Sequence, residues 1–126
     1  MILYGEVYMS QNILLKVKLF SAFAHPVRLR ILEELKKNEK CVSELVGSIK
    51  NVSQSQVSNH LICLRDCGLV SSRREWRRVY YRLADPKVGE LLEVADELLP
   101  KVSERVGKCV DIEKGRPCRC LKVKPL

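Results

Sequence analysis

Apolar positions along the chain change period twice, and the changes outline a fold. From residue 12 to residue 67 they fall at helical spacing, from 69 to 83 they alternate, and from 86 to 106 the helical spacing returns. In residues 12–24, Ile13, Val17, Phe20 and Ala24 make one stripe, while Leu14, Leu15, Leu19 and Phe23 fill other sides. A helix apolar on so many sides is expected to be buried, partly against a second subunit. His25-Pro26 interrupts it, and Pro26 suits the first position of the next helix, whose core face is Val27, Ile31, Leu32 and Leu35 and whose end falls near Asn38. Val42, Leu45, Val46 and Ile49 predict a third short helix over 41–49.

A tight Lys50-Asn51-Val52 connection leads into residues 53–67, SQSQVSNHLICLRDC. Ser53 is suited to the N-cap, and Gln56 three residues later completes a capping box. Val52 and Val57 stand at the positions of a hydrophobic staple, and Gly68 stands where a left-handed residue closes a helix. Val57, Leu61 and Leu64 form a narrow packing stripe. Ser55, Ser58, Asn59 and Ile62 fall on the opposite side, which suits base edges and phosphates. Ile62 there either meets a thymine methyl or is merely exposed. A third stripe carries Gln56, His60, Cys63 and Cys67.

Two short helices joined this way, the second polar-faced, predict a helix-turn-helix. Leu69–Arg74 and Arg77–Leu83 read as strands with Glu75-Trp76 at the hairpin tip and Val79, Tyr81 and Leu83 on one face. A basic hairpin directly after a helix-turn-helix is a wing. The predicted class is therefore mainly α with a β-hairpin wing, a winged helix-turn-helix. Residues 86–106 keep Val88, Leu91, Leu92, Ala95, Leu98, Leu99, Val102 and Val106 on one stripe, and Pro100 is expected to kink or break that helix. Residues 1–11 give no firm reading. Residues 12–106 form the expected DNA-binding and dimerisation domain, and 107–126 a basic tail with three cysteines.

Charge adds a partner. The 126 residues carry 23 Lys and Arg against 15 Asp and Glu, a net charge of +8. Residues 65–82 and 108–126 each hold six basic residues and two acids, so these two blocks account for the whole excess. A polyanion is the expected partner, double-stranded DNA before a membrane surface. Candidate DNA contacts are Gln54, Ser55, Ser58, Asn59 and His60 on the helix, with Arg73, Arg74, Arg77 and Arg78 on the wing. No apolar run approaches the ~20 residues of a membrane span, and MILYGEVYMS lacks a basic leader region. A cytoplasmic location is expected, where six cysteines are thiols and grouped thiols suggest metal before disulfide.

The stretches FSAFAHPVRLRILEEL at 20–35, SQSQVSNHLICLRDCGLV at 53–70 and RRVYYRLAD at 77–85 resemble the ArsR/SmtB family of winged-helix metal-sensing repressors. The resemblance covers about residues 12–106. It implies a homodimer, joined through helices 12–24 and 86–106, that binds operator DNA and leaves it when metal binds. One family site, a Cys-x-Cys on the first helix of the helix-turn-helix, reads Cys41-Val42-Ser43 here and lacks its second thiol. A second, with paired Asp and His on the last helix, is absent because residues 86–106 hold no histidine. The third, of the cadmium- and lead-sensing CmtR-like branch, pairs two cysteines four apart on the recognition helix with a third in the tail. Cys63 and Cys67 match that pair, and Cys109 fits the third position. Cys118 and Cys120 are auxiliary or substitute donors, and His60 is a secondary candidate for a fourth. Similar hairpins often carry glycine at the tip where this chain has Trp76, which suggests that the tip packs or stacks.

Cysteines at i and i+4 share a helix face with Cβ atoms ~5–6 Å apart and can converge on one ion. Their alternative role is as small hydrophobic residues, the reading that suits Cys41. Thiolate donors select soft or borderline ions: cadmium, lead, zinc or mercury, with trivalent arsenic by its thiol chemistry. The expected function is a metal-responsive repressor. The alternative is a winged-helix regulator with a structural metal or a thiol-redox response. An enzyme is not supported, since the chain has no Gly-rich phosphate loop, no Ser/His/Asp set and two histidines.

Overall fold

A computed structural model of the chain describes residues 2–4 and 7–107. Its elements run β1 (Ile2–Tyr4), β2 (Val7–Met9), α1 (Gln11–Phe23), α2 (Pro26–Lys37), β3 (Lys40–Cys41), α3 (Val42–Ser48), α4 (Gln54–Asp66), β4 (Val70–Glu75), β5 (Arg78–Leu83) and α5 (Pro86–Gly107). They fall into two compact units, Leu15–Leu92 and the first fourteen residues with those from Glu93 on.

In the unit Leu15–Leu92, α4 packs on α2, α3 and β4. The predicted stripes close one core: Ile31, Leu32, Leu45, Val57, Leu61 and Leu64 are buried, with Ile49, Val70, Tyr81, Val88 and Leu92 beside them. Helix ends follow the local chemistry. His25 caps α2, its Nδ1 accepting from Val27 N–H at 3.1 Å, with Pro26 at the first turn. Ser53 Oγ accepts from Gln56 N–H at 3.1 Å while Gln56 Oε1 accepts from Ser53 N–H at 2.8 Å, a complete capping box. At the other end of α4, Gly68 adopts φ 79°. Its N–H donates to Arg65 O and the Leu69 N–H to Leu64 O, both at 3.0 Å, which is the Schellman arrangement. The accompanying apolar contact is supplied by buried Leu64 and Leu69. No neighbouring atom lies within 4 Å of a methyl added at Gly68. Gly68→Ala is therefore expected to cost only the left-handed backbone, about 1–2 kcal/mol, read as a lower urea midpoint; an unchanged midpoint would contradict this.

The sheet order is β3-β5-β4, antiparallel throughout. The two-residue β3, pairing Lys40 with Tyr81 and Cys41 with Tyr80, is too short to show alternation and was not expected from the sequence. Cys41 is buried, its N–H donating to Glu44 Oε1 at 3.1 Å and its Sγ lying 3.1 Å from Ser43 Oγ, so it is the packed thiol expected. The hairpin corrects the expected tip. Glu75 pairs with Arg78, which leaves Trp76-Arg77 as the two-residue turn. Trp76 has φ 58°, the positive φ that a primed hairpin turn needs and that glycine usually supplies. A left-handed conformation costs a bulky L-residue about 1–2 kcal/mol.

The unit built on the first fourteen residues and those from Glu93 on contains the antiparallel pair β1–β2, Ile2 facing Met9, in a stretch whose local spacing signals no element. Pro100 does not break α5, which runs 22 residues through it. Proline withdraws one donor and crowds the preceding turn, yet the apolar positions Leu98, Leu99, Val102 and Val106 carry the helical spacing past it. Of the burial expected for α1, partly against a second subunit, the protomer itself supplies one side. Ala22 is buried with Leu19 and Phe23 against the core, whereas Ile13, Leu15, Val17 and Phe20 are exposed in the protomer. Val94, Leu98, Leu99 and Val106 of α5 are exposed as well.

Candidate nucleic-acid interface and thiol pair

The stripe of α4 that carries Val57, Leu61 and Leu64 is sealed in the core, so the other sides of the helix face outward. Gln54, Ser55 and Asn59 are exposed, Ser58 is half-buried, and Ile62 is 44% exposed. This puts polar side chains, two of them amides, along a helix held firmly by its cap and its Schellman end.

His60 stands apart from that face. Its Nδ1 accepts from Arg28 Nε at 3.2 Å, and its ring lies 4.4 Å from that of His25, tilted by 45°. His60 thus links α4 to the start of α2. Burial, then the charges of His25 and Arg28, hold its pKa below the ordinary imidazole value. An imidazole kept neutral in the folded state binds protons more readily once unfolded. Stability is therefore present above the unfolded pKa of about 6.5 and is lost as pH falls through the lower folded value. His60→Gln, which keeps an acceptor for Arg28, should flatten the fall of the urea midpoint on acidification. An equally steep fall in the variant would contradict the assignment.

The four wing arginines do different things. Arg73 grips Glu39 with Nε, at 2.9 Å to Oε2, and with a second nitrogen to Oε1, while its remaining nitrogen reaches Glu75 Oε2 at 2.8 Å. Its guanidinium also lies 4.8 Å from the ring centroid of Tyr80, its cross-strand partner. The bond from Arg73 holds the Glu39 carboxyl below its ordinary pKa. Arg74 Nε donates to Trp76 O at 3.2 Å and pins the turn. Arg77 lies over the Trp76 indole, 5.3 Å from its centroid. Arg74, Arg77 and Arg78 are exposed. Sequence reasoning missed Arg28 and Glu39, which sit on no periodic stripe and whose partners lie more than thirty residues away.

Cys63 is half-buried and Cys67 exposed, neither bridged. The Cys67 N–H donates to Cys63 O at 3.0 Å, so the pair sits on the last turn of α4. Burial first, then the neighbouring Cys63, pushes the Cys67 thiol up. Among the described residues no three His, Cys, Asp or Glu side chains are grouped to hold a metal, so His60 does not join the two thiols in such a set. Cys109, Cys118 and Cys120 lie outside the described residues. Also among the described residues, no helix is long and apolar enough to cross a membrane.

The comparisons with known proteins agree with this geometry. The family described as bacterial regulatory protein, arsR family, matches residues 25–72. The HTH-type transcriptional regulator Rv0081 of Mycobacterium tuberculosis is 39% identical over 102 residues, 80% of this chain and 90% of that protein. Its crystal structure matches with a TM-score of 0.72 at 38% identity, over 78% of this chain and 99% of that one. The regulator CmtR of Mycobacterium bovis is 39% identical over 103 residues, 76% of this chain and 86% of its own. Two further solved structures are similar. One is the homodimeric winged helix-turn-helix DNA-binding domain of Mb0332 from Mycobacterium bovis (TM-score 0.67, 27% identity, 77% and 93% covered). The other is the antimony-specific transcriptional repressor AntR (TM-score 0.66, 29% identity, 76% and 86% covered).

Three helices closed by a winged three-stranded sheet make this chain a winged helix-turn-helix transcriptional regulator rather than an enzyme. It belongs to the ArsR family.

Proposed function

We propose that the chain is a repressor that binds operator DNA as a dimer and leaves it when a soft metal ion is held by cysteine thiolates. In this reading residues 12–106 are the DNA-binding and dimerisation domain and 107–126 the sensing tail. Gln54, Ser55, Ser58 and Asn59 meet the major groove, and Arg74, Arg77 and Arg78 meet the DNA backbone and the adjoining groove. Arg73, already held by two carboxylates, braces the wing against Glu39 and adds little charge to the contact.

The observation that carries the sensing role is the position of Cys63 and Cys67 on the last turn of α4, the helix whose outer side presents Ser55 and Asn59. Two adjacent thiols fit a soft ion and are one donor short of a three-thiolate set. Cys109 would supply the third, with Cys118 or Cys120 as auxiliary donors. The ion would supply a bond between the tail and the DNA-reading helix. Once Cys63, Cys67 and Cys109 share it, α4 is no longer at liberty to take the tilt and spacing that two half-sites require. The expected coupling is about 1–3 kcal/mol, a loss of DNA affinity of roughly 5- to 150-fold. The donor set suits cadmium, lead, zinc, mercury or trivalent arsenic.

A panel of these ions, added to the protein on its operator, tests the reading. Release by thiophilic ions and not by magnesium or calcium is expected; release by none of them would refute it. The wing is tested by salt. Each phosphate-neutralising charge adds about 0.9 to the slope of log affinity against log salt, so Arg77→Ala with Arg78→Ala, which removes these charges from both wings of a dimer, should make that slope shallower by about three to four units. An unchanged slope would take the wing off the DNA.

A further inference from the structure

Arg28 is a cation without an anion. It is half-buried in the first turn of α2, and among the described residues it pairs with no carboxylate. Its neighbour Arg30, by contrast, holds Glu34 at 3.0 Å, and Arg73 holds Glu39 and Glu75. The hydrogen bond that Arg28 does make runs from Nε to Nδ1 of His60, at 3.2 Å. A ring that accepts at Nδ1 carries its proton on Nε2, so His60 meets the guanidinium as an uncharged partner. The remaining N–H groups of the guanidinium are donors in want of an acceptor.

An acceptor lies along the same stripe of α4. His60, Cys63 and Cys67 share that stripe. The charge of Arg28 bears on both ends of it. It acts on His60, and it draws the Cys67 thiol down against the burial that pushes it up. The nearest cation on α4 itself, Arg65, falls on another side of the helix and lies 3.9 Å from Asp66. Thiols give up their protons to bind an ion, and a divalent ion among three thiolates leaves a net negative charge. Hydrogen bonds to an ionised acceptor are roughly twice as strong as neutral ones, so a guanidinium placed between an uncharged ring and an anionic thiolate centre favours the thiolates. We propose that Arg28 couples the thiol pair to the DNA-reading helix: it holds His60 while the thiols are empty and turns to the thiolates when they are loaded. With His60 released, α4 loses its strut to the start of α2 and is free to leave the tilt that suits DNA. One guanidinium with two alternative partners is the two-state element that a population shift requires. Arg28 is thus a positioning residue, acting on DNA through α4.

The inference rests on the metal-release reading, and one set of measurements tells the two apart. Full-length protein with labelled ring and guanidinium nitrogens is titrated with cadmium, first without DNA, by nuclear magnetic resonance. The His60 Nδ1 signal is expected to move as it loses its donor, and the Arg28 Nε–H signal to move with it. Operator anisotropy is then read without and with cadmium. In Arg28→Met, which keeps the stem and loses the charge, metal-free affinity should fall by about threefold, while the further loss on adding cadmium shrinks from roughly 5- to 150-fold to below about threefold. The thiolate-to-cadmium absorption should still reach full height. Arg28→Lys, which keeps a cation able to change partners, should retain most of the cadmium effect. A merely structural arginine would lower the melting temperature and both affinities together and leave their ratio unchanged. That unchanged ratio, or an Arg28→Lys protein as uncoupled as Arg28→Met, would overturn the inference. If Arg28→Met does not fold, the parent's resonances and Arg28→Lys decide. Operator release by cadmium with the His60 and Arg28 signals unmoved would overturn the inference alone. Cadmium that leaves the parent protein on its operator would overturn the metal-release reading and the inference with it.

Discussion

Leu98→Glu is expected to convert a dimer into a folded monomer and to lower operator affinity by at least about a hundredfold, since two linked half-site contacts then become one. Leu98 and Leu99 are exposed in the protomer, as are Val94 and Val106 on the same helix and Ile13, Val17 and Phe20 on α1. One chain of this size rarely leaves so much large apolar surface to water without a partner. A second copy is the occupant that two half-sites of DNA also require. The choice of residue matters. Leu92 lies on the same stripe but is 3% exposed, within the core of the unit Leu15–Leu92, so a charge there would unfold the protomer and report nothing about assembly. Leu98 is 52% exposed, so a carboxylate there leaves the protomer's own packing intact. Sedimentation at micromolar concentration checks the result. A wild-type monomer, or a Leu98→Glu protein that remains dimeric, would refute the interface.

Cys63→Ser and Cys67→Ser should each abolish metal-driven release while leaving metal-free DNA affinity within about threefold, because neither thiol contributes to the buried stripe of α4. Serine is nearly isosteric with cysteine but is a poor ligand for a soft ion. Cys41→Ser should leave the response unchanged, since that thiol is buried at the start of α3, bonded within its own turn. Truncation at Lys108 should weaken the response by removing the third donor. Response and metal affinity should also rise with pH, because the Cys67 thiol, raised by burial and by Cys63, must lose its proton to bind. Loss of response in Cys41→Ser with retention in Cys63→Ser would place the site elsewhere.

What the sequence showed and what it hid follow from the range of the interactions. The ends of α4 were legible because caps are written within four residues: Ser53 with Gln56, and Gly68 after Cys67. The core stripes of α2, α3 and α4 were legible because one face is buried throughout. Strand β3 was hidden because two residues carry no period, and the turn residues slipped by one because a left-handed Trp76 contradicts local preference. The division of labour among the wing arginines was hidden for another reason. Arg73 and Glu39 are 34 residues apart, and His60 and Arg28 are 32 apart, so neither pair leaves a trace in local spacing. The continuation of α5 through Pro100 shows the converse, a strong local signal outweighed by the helix on either side of it.

The central claim is that the thiols of α4 connect metal binding to DNA release. The most direct measurement is a cadmium titration of the full-length protein on labelled operator, with the near-ultraviolet thiolate-to-metal absorption and the DNA anisotropy recorded on the same sample. Both signals are expected to saturate together at one ion per protomer, and both to vanish in Cys63→Ser. Operator released without the absorption band, or a saturated band with the operator still bound, would contradict it.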